Sequence, residues 1–192
     1  MYINIPNILT WGRIALIPVF IGVYYLPDAW VGMAHKNMLA TTIFAAAAIT
    51  DWLDGYLARV LKQASAFGAF LDPVADKLMV AASLVMLVQL NRVDMIVSII
   101  IIGREITISA LREWMAREGR SASVAVATIG KLKTAAQMVA IPMLLFDAPV
   151  RGVGMAFVGS ILIYVAAALT LWSMGYYLHH AMAGLAKNTG PA

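Results

Sequence analysis

The sequence predicts an all-α integral membrane protein of six transmembrane helices with both termini cytoplasmic, and three observations predict it. First, the 192 residues are 62% hydrophobic and 12% charged, with a mean hydropathy of +0.83, whereas a soluble domain is about half apolar and a quarter charged. Second, six apolar runs approach or exceed the roughly 20 residues that cross a hydrocarbon layer. Third, the basic residues are divided unevenly between the two sets of helix ends, and Lys and Arg concentrate on the cytoplasmic side of membrane proteins.

The first run covers roughly residues 6–26 and opens with "NIPNILTWGR". Pro6 suits a helix start and Trp11 an interfacial anchor, while Asn7 and Thr10 are equally suited to be ligands. The run exceeds signal-peptide length and has no small-residue cleavage site, which predicts a retained crossing. The second run, roughly 38–60, follows "PDAW" and ends at the polar "KQAS"; the third, roughly 70–90, ends at "NRVD". The fourth, roughly 93–115, runs into "REGRSAS", the fifth, roughly 124–146, into "DAPVRG", and the sixth spans roughly 152–178. His179 and His180 read as interfacial residues at the start of a tail over 179–192. With no internal repeat and no low-complexity linker, residues 1–192 read as a single domain.

Six crossings return the chain to its starting side. One set of ends holds Arg13, Arg59, Lys62, Lys77, Arg112, Arg117, Arg120, Lys131, Lys133 and Lys187, the other Lys36, Arg92 and Arg151. The richer side is cytoplasmic. Cysteine is absent, which excludes disulfides and thiolate metal sites.

The chemistry is concentrated in "DWLDGYLARVLKQASAFGAFLDPVADK", which sets four carboxylates between two apolar runs. At about 100° per residue, Asp51, Gly55 and Ala58 share one helical stripe with Asp54 beside it. Gly68, Asp72 and Asp76 follow at four-residue intervals on the next helix. Small residues beside acids allow a bulky ligand to approach the backbone while carboxylate oxygens surround it. Like charges so close repel, and a divalent cation resolves the conflict. Oxygen-only donors suit magnesium, manganese or calcium, and four acids can hold two ions that clamp the attacking and leaving oxygens of a phosphoryl transfer. The structural alternatives are that Asp72, followed by Pro73, caps a helix N-terminus, and that Asp51 and Asp54 pair with Arg59 and Lys62.

The string Asp51-x-x-Asp54-Gly55-x-x-Ala58-Arg59, eight residues, then Gly68-x-x-x-Asp72-x-x-x-Asp76 resembles the complete signature of the CDP-alcohol phosphotransferases. That resemblance implies the family's six-helix membrane fold and transfer of a CDP-activated group to an alcohol with release of CMP. It implies metal binding by Asp51, Asp54 and Asp72, with Asp76 completing a second metal site and acting as general base. Two ions per site, Mg2+ or alternatively Mn2+, are the implied cofactors. Gly55, Ala58, Arg59 and Gly68 would line the cytidine diphosphate site, with Ser65, Asn7 and Thr10 as further candidates. A homodimer is implied as well. A covalent route through a histidine nucleophile is excluded, because His35, His179 and His180 begin no H-x-K-x4-D pattern.

The acceptor is read from charge outside the signature. "IIIIGREITISALREWMAREG" puts Arg104 and Glu105 inside an apolar helix, with Arg112 two turns on. Ionisable residues at membrane depth face a cavity or one another, so an Arg–Glu pair is one reading. Arg104, Arg112, Lys131 and Lys133 also suit an anionic acceptor, while Lys131 and Lys133 equally suit ordinary membrane anchors. "GREITISALREWMA", "VAVATIGKLKTAAQM", "NIPNILTWGRI" and "LTLWSM" extend the resemblance over roughly residues 3–178, to family members that use CDP-diacylglycerol and glycerol 3-phosphate. Glycerol 3-phosphate would then lie among Arg104, Arg112, Lys131 and Lys133, on the cytoplasmic side of a bacterial inner membrane. Two rivals remain at this stage: the same chemistry with inositol phosphate, serine or phosphatidylglycerol as acceptor, and a divalent-cation transporter. Nothing in the sequence points to a nucleic-acid partner.

Overall fold

The computed structural model describes residues 5–60, 66–117 and 124–186. Among them are six helices: α1 (Ile5–Tyr25), α2 (Met33–Val60), α3 (Ala66–Gln89), α4 (Met95–Arg117), α5 (Val124–Phe146) and α6 (Met155–Ala186). A two-residue hairpin, β1 (Pro149–Val150) and β2 (Val153–Gly154), joins α5 to α6. Its turn residues Arg151 and Gly152 both have positive φ, 52° and 82°, as a tight turn matched to strand twist requires.

Three helices depart from the expected bounds. α2 starts at Met33 instead of residue 38, α3 at Ala66 instead of residue 70, and α6 runs on through the expected tail to Ala186. At α2 the added turn contains His35, Lys36 and Asn37, which extend a helix because its backbone hydrogen bonds do not depend on side-chain polarity. α3 also contains Asp72 and Pro73 in its interior, so Asp72 is not an N-cap. Asp94 is one: its Oδ1 accepts from the Ile96 amide at 2.7 Å at the start of α4. α3 ends in a Schellman arrangement, with Asn91 at φ 56° and the Arg92 amide donating to the Leu87 carbonyl at 2.9 Å.

The core runs along the middle of the bundle. Phe20 of α1, Phe44 and Ala47 of α2, Leu84 and Leu87 of α3, Ile101 of α4, Ile141, Leu144 and Leu145 of α5 and Ile163 of α6 are buried there. α5 and α6 approach closely at Gly159, where an added Cβ would stand 2.8 Å from Leu144 Cγ and 3.2 Å from the Ala140 carbonyl oxygen. One end of the bundle is tied by Arg92, which donates to the Leu144 and Leu145 carbonyls at 3.2 and 2.9 Å and to Asn37 Oδ1 at 3.0 Å. It also meets Asp147 at 3.0 Å.

Large apolar side chains cover the outside: Trp52 of α2, Ile96 and Ile99 of α4, Phe157 and Trp172 of α6 are all exposed. So much outward apolar surface belongs in lipid, and the chain is a membrane protein. Among the described residues, two stretches are each long and apolar enough to cross a bilayer, Asn7–Tyr25 and Met155–Gly175. α2, α3 and α4 carry charges within their length, which shortens their uninterrupted apolar windows.

Candidate active site

α1, α2 and α3 meet where the four acids lie. α2 is continuous through Asp51 and Asp54, and α3 through Gly68, Asp72 and Asp76, so each pair of acids sits on a rigid helical face. The partner of the first pair is Arg13 of α1. Its Nη1 donates to Asp51 Oδ1 at 2.5 Å and its Nη2 to Asp54 Oδ2 at 2.6 Å. The Arg13 side chain is 1% exposed and that of Asp54 3%, whereas Asp51 is 41% exposed. An arginine fork spanning two carboxylates is a strong, directional arrangement. It compensates the buried charge of Asp54 above all, which would otherwise be expensive.

One turn earlier on α1, Thr10 Oγ1 donates to Asp72 Oδ1 at 2.5 Å. Asp76 and Arg13 line the same small void, of about 10 Å³, with Phe44, Ala47, Ala48, Met79, Val80 and Met138. Asp76 also lies within electrostatic reach of Asp51, Arg13 and Glu105. The first helix therefore bonds three of the four acids and shares a void with the fourth, Asp76. Arg13 had been read only as a basic residue at a helix end. Its spacing held the signal: Asn7, Thr10 and Arg13 recur every three residues, a polar stripe along one face of an apolar helix.

A second polar group joins α4, α5 and α6. Lys133, buried, donates to Glu105 Oε1, and Arg104 Nη1 stands 3.5 Å from the same oxygen. Arg104 Nη2 donates to Ser173 Oγ of α6 at 2.9 Å. Two of the residues expected to form an anion site are thus together, with Glu105 between them.

Asn7 is partly buried and Gly68 buried, one turn before Thr10 and Asp72 respectively. The backbone is helical at Gly55, Ala58, Arg59, Arg112 and Lys131, but their surroundings fall outside what is described, and Ser65 lies outside the described residues altogether. A pairing of the acids with Arg59 or Lys62 therefore has no description, and the partner that is described is Arg13.

The donor set is carboxylate oxygen throughout, which fits a hard divalent cation. A guanidinium lodged between Asp51 and Asp54 marks where positive charge is wanted. As the side chains stand, no three acidic or histidine residues converge on one point among the described residues, and one oxygen each of Asp51, Asp54 and Asp72 is engaged by Arg13 or Thr10.

Comparison with known proteins places the whole chain. Residues 3–172 match the family model described as CDP-alcohol phosphatidyltransferase. A relative from Pectobacterium atrosepticum, named CDP-diacylglycerol–glycerol-3-phosphate 3-phosphatidyltransferase, is 50% identical over 94% of this chain and 96% of its own. Relatives of the same name from Shigella flexneri serotype 5b and Escherichia coli K12 are each 49% identical over 96% of this chain and 98% of theirs.

Proposed function

The chain belongs to the CDP-alcohol phosphatidyltransferase family, and we propose that it transfers the phosphatidyl group of CDP-diacylglycerol to glycerol 3-phosphate. The products are phosphatidylglycerophosphate and CMP, on the route to anionic phospholipids. The observation that carries this reading is identity of about half the residues, over nearly the whole length, with enzymes of that name. The grouped Asp51, Asp54, Asp72 and Asp76 give it a chemical basis.

Asp51, Asp54 and Asp72 hold divalent metal, magnesium or manganese, and Asp76 completes a second position. When bound, the ions supply positive charge to the diphosphate and to the leaving CMP. The acceptor hydroxyl oxygen attacks the phosphorus that bears diacylglycerol, its proton passes to the Asp76 carboxylate, and the bond from that phosphorus to CMP breaks. Gly55, Ala58, Arg59, Ser65 and Gly68, with Asn7 and Thr10, bind the cytidine diphosphate end. Arg104, Arg112, Lys131 and Lys133 receive the phosphate of glycerol 3-phosphate, where forks and point charges bind such groups well. All six helices cross a bacterial inner membrane, with both termini and the acids on the cytoplasmic side; the uneven distribution of Lys and Arg supports this orientation. The family resemblance supports a homodimer.

The test is CMP release from CDP-diacylglycerol by purified protein in detergent with magnesium. Glycerol 3-phosphate, inositol phosphate, serine and phosphatidylglycerol are offered in turn, with Asp76→Asn as control. Release with glycerol 3-phosphate alone, lost in the variant and on chelation of the metal, is the expected result. Release with another acceptor overturns the reading of the basic residues. No release with any acceptor overturns the enzyme reading.

A further inference from the structure

Arg13 is a full positive charge buried at the centre of an acidic site, and the reaction as derived gives it no task. Its two terminal nitrogens grip Asp51 and Asp54 at 2.5 and 2.6 Å, the carboxylates assigned above to metal. A carboxylate oxygen turned towards a guanidinium at that distance is not turned towards a metal ion. The hold is also incomplete: Arg13 Nε is buried without a hydrogen-bond partner. On the Asp51 side the site is open, that side chain being 41% exposed.

We infer that Arg13 is an internal counter-ion that occupies the Asp51–Asp54 pair in the metal-free protein and yields it when a divalent cation arrives. Metal binding is then an exchange of cations. Two clustered carboxylates without metal would repel one another, the more so with Asp54 buried, and Arg13 removes that repulsion. The same contact makes the metal-competent arrangement a minority state, which weakens apparent metal affinity by the fraction of time the carboxylates are engaged. Arg13 thus acts through the aspartates as a positioning residue, setting the cation concentration at which the site fills. This rests on the metal assignment under the proposed function.

The experiment is Mn2+ binding to the purified full chain in detergent, without substrates, by electron paramagnetic resonance titration, together with melting temperatures with and without Mn2+. Arg13→Gln is expected to bind Mn2+ roughly tenfold more tightly than wild type. It should also melt lower than wild type when metal-free and regain most of the difference with Mn2+. Arg13→Lys keeps one charge but loses the fork, and is expected to fall between the two; it decides the matter if the glutamine variant does not fold. Asp51→Asn with Asp54→Asn identifies the site by abolishing the binding. Affinity unchanged or weakened in both Arg13 variants overturns the counter-ion, since a merely structural arginine would lower stability without tightening Mn2+. Absence of saturable Mn2+ binding in the wild type overturns the metal assignment itself, and the exchange with it.

Discussion

Lys133 of α5 and Arg104 of α4 converge on a single oxygen, Oε1 of Glu105. In sequence these residues read as surplus positive charge; in the fold they are held by an acid between them. Such a group remains cationic overall, with two bases to one carboxylate, and the carboxylate fixes where the bases point. Lys133→Ala is therefore expected to raise the Michaelis constant for glycerol 3-phosphate at least about tenfold, as loss of one charge-assisted hydrogen bond does. The constant for CDP-diacylglycerol should stay near wild type. Steady-state CMP release with each substrate varied separately decides this, and an unchanged acceptor constant removes Lys133 from the site.

Thr10 is expected to matter through Asp72. Thr10→Val keeps the shape and deletes the donor that holds Asp72 Oδ1. A hydrogen bond to a charged group contributes about 1.5–3 kcal/mol, so the metal-free protein should lose stability on that order. The magnesium concentration for half-maximal CMP release should shift, while Thr10→Ser, which retains the hydroxyl, should restore it. A serine variant no better than valine would show that the methyl packing and not the hydrogen bond is at stake.

At the opposite end of the bundle, Arg92 links α2, α5 and Asp147 through part-buried hydrogen bonds and an ion pair to the more exposed Asp147. Arg92→Ala leaves two part-buried carbonyls without that partner, at a cost of about 1–3 kcal/mol, while the exposed Asp147 is taken up by solvent. A marked fall in melting temperature is expected, with near-normal turnover per folded molecule at low temperature. Loss of turnover without loss of stability would contradict a structural role.

Gly159 has no room for a side chain. In Gly159→Ala the new methyl would meet Leu144 Cγ and the backbone of α5, neither of which is the free end of a flexible chain. Overpacking of this kind costs about 1–3 kcal/mol. Lower thermal stability in detergent is expected, and a variant as stable as wild type would mean that α5 and α6 separate easily.

Much of the site was legible in the sequence because it is local. Asp51 with Asp54, and Gly68 with Asp72 and Asp76, lie on single helices, and helical periodicity alone aligns them. The six helices follow from apolar length and breakers. Their ends are less legible, since Met33 to Asn37 are polar enough to resemble a loop yet form the first turn of α2. Pro73 beside Asp72 offered a helix start as an alternative, but α3 accommodates it in its interior. The partners were least legible. Arg13 meets residues 38 and 41 positions away, and Thr10 one that is 62 away; such pairings depend on how helices dock, which a pattern of period 3.6 does not encode. Glu105 was visible as an acid in an apolar helix, but Lys133, 28 positions on, had an equally good reading as a membrane anchor.

The Arg13 pairing also bears on how the chain is made. α1 precedes its acidic partners in synthesis, so the charge on Arg13 meets Asp51 only after a further 38 residues have been added. A lone arginine is costly within lipid. The fork from Arg13 to Asp51 and Asp54 therefore couples the docking of α1 to that of α2. α3 brings Asp72 to Thr10, so the acid cluster is complete only once all three helices have been made.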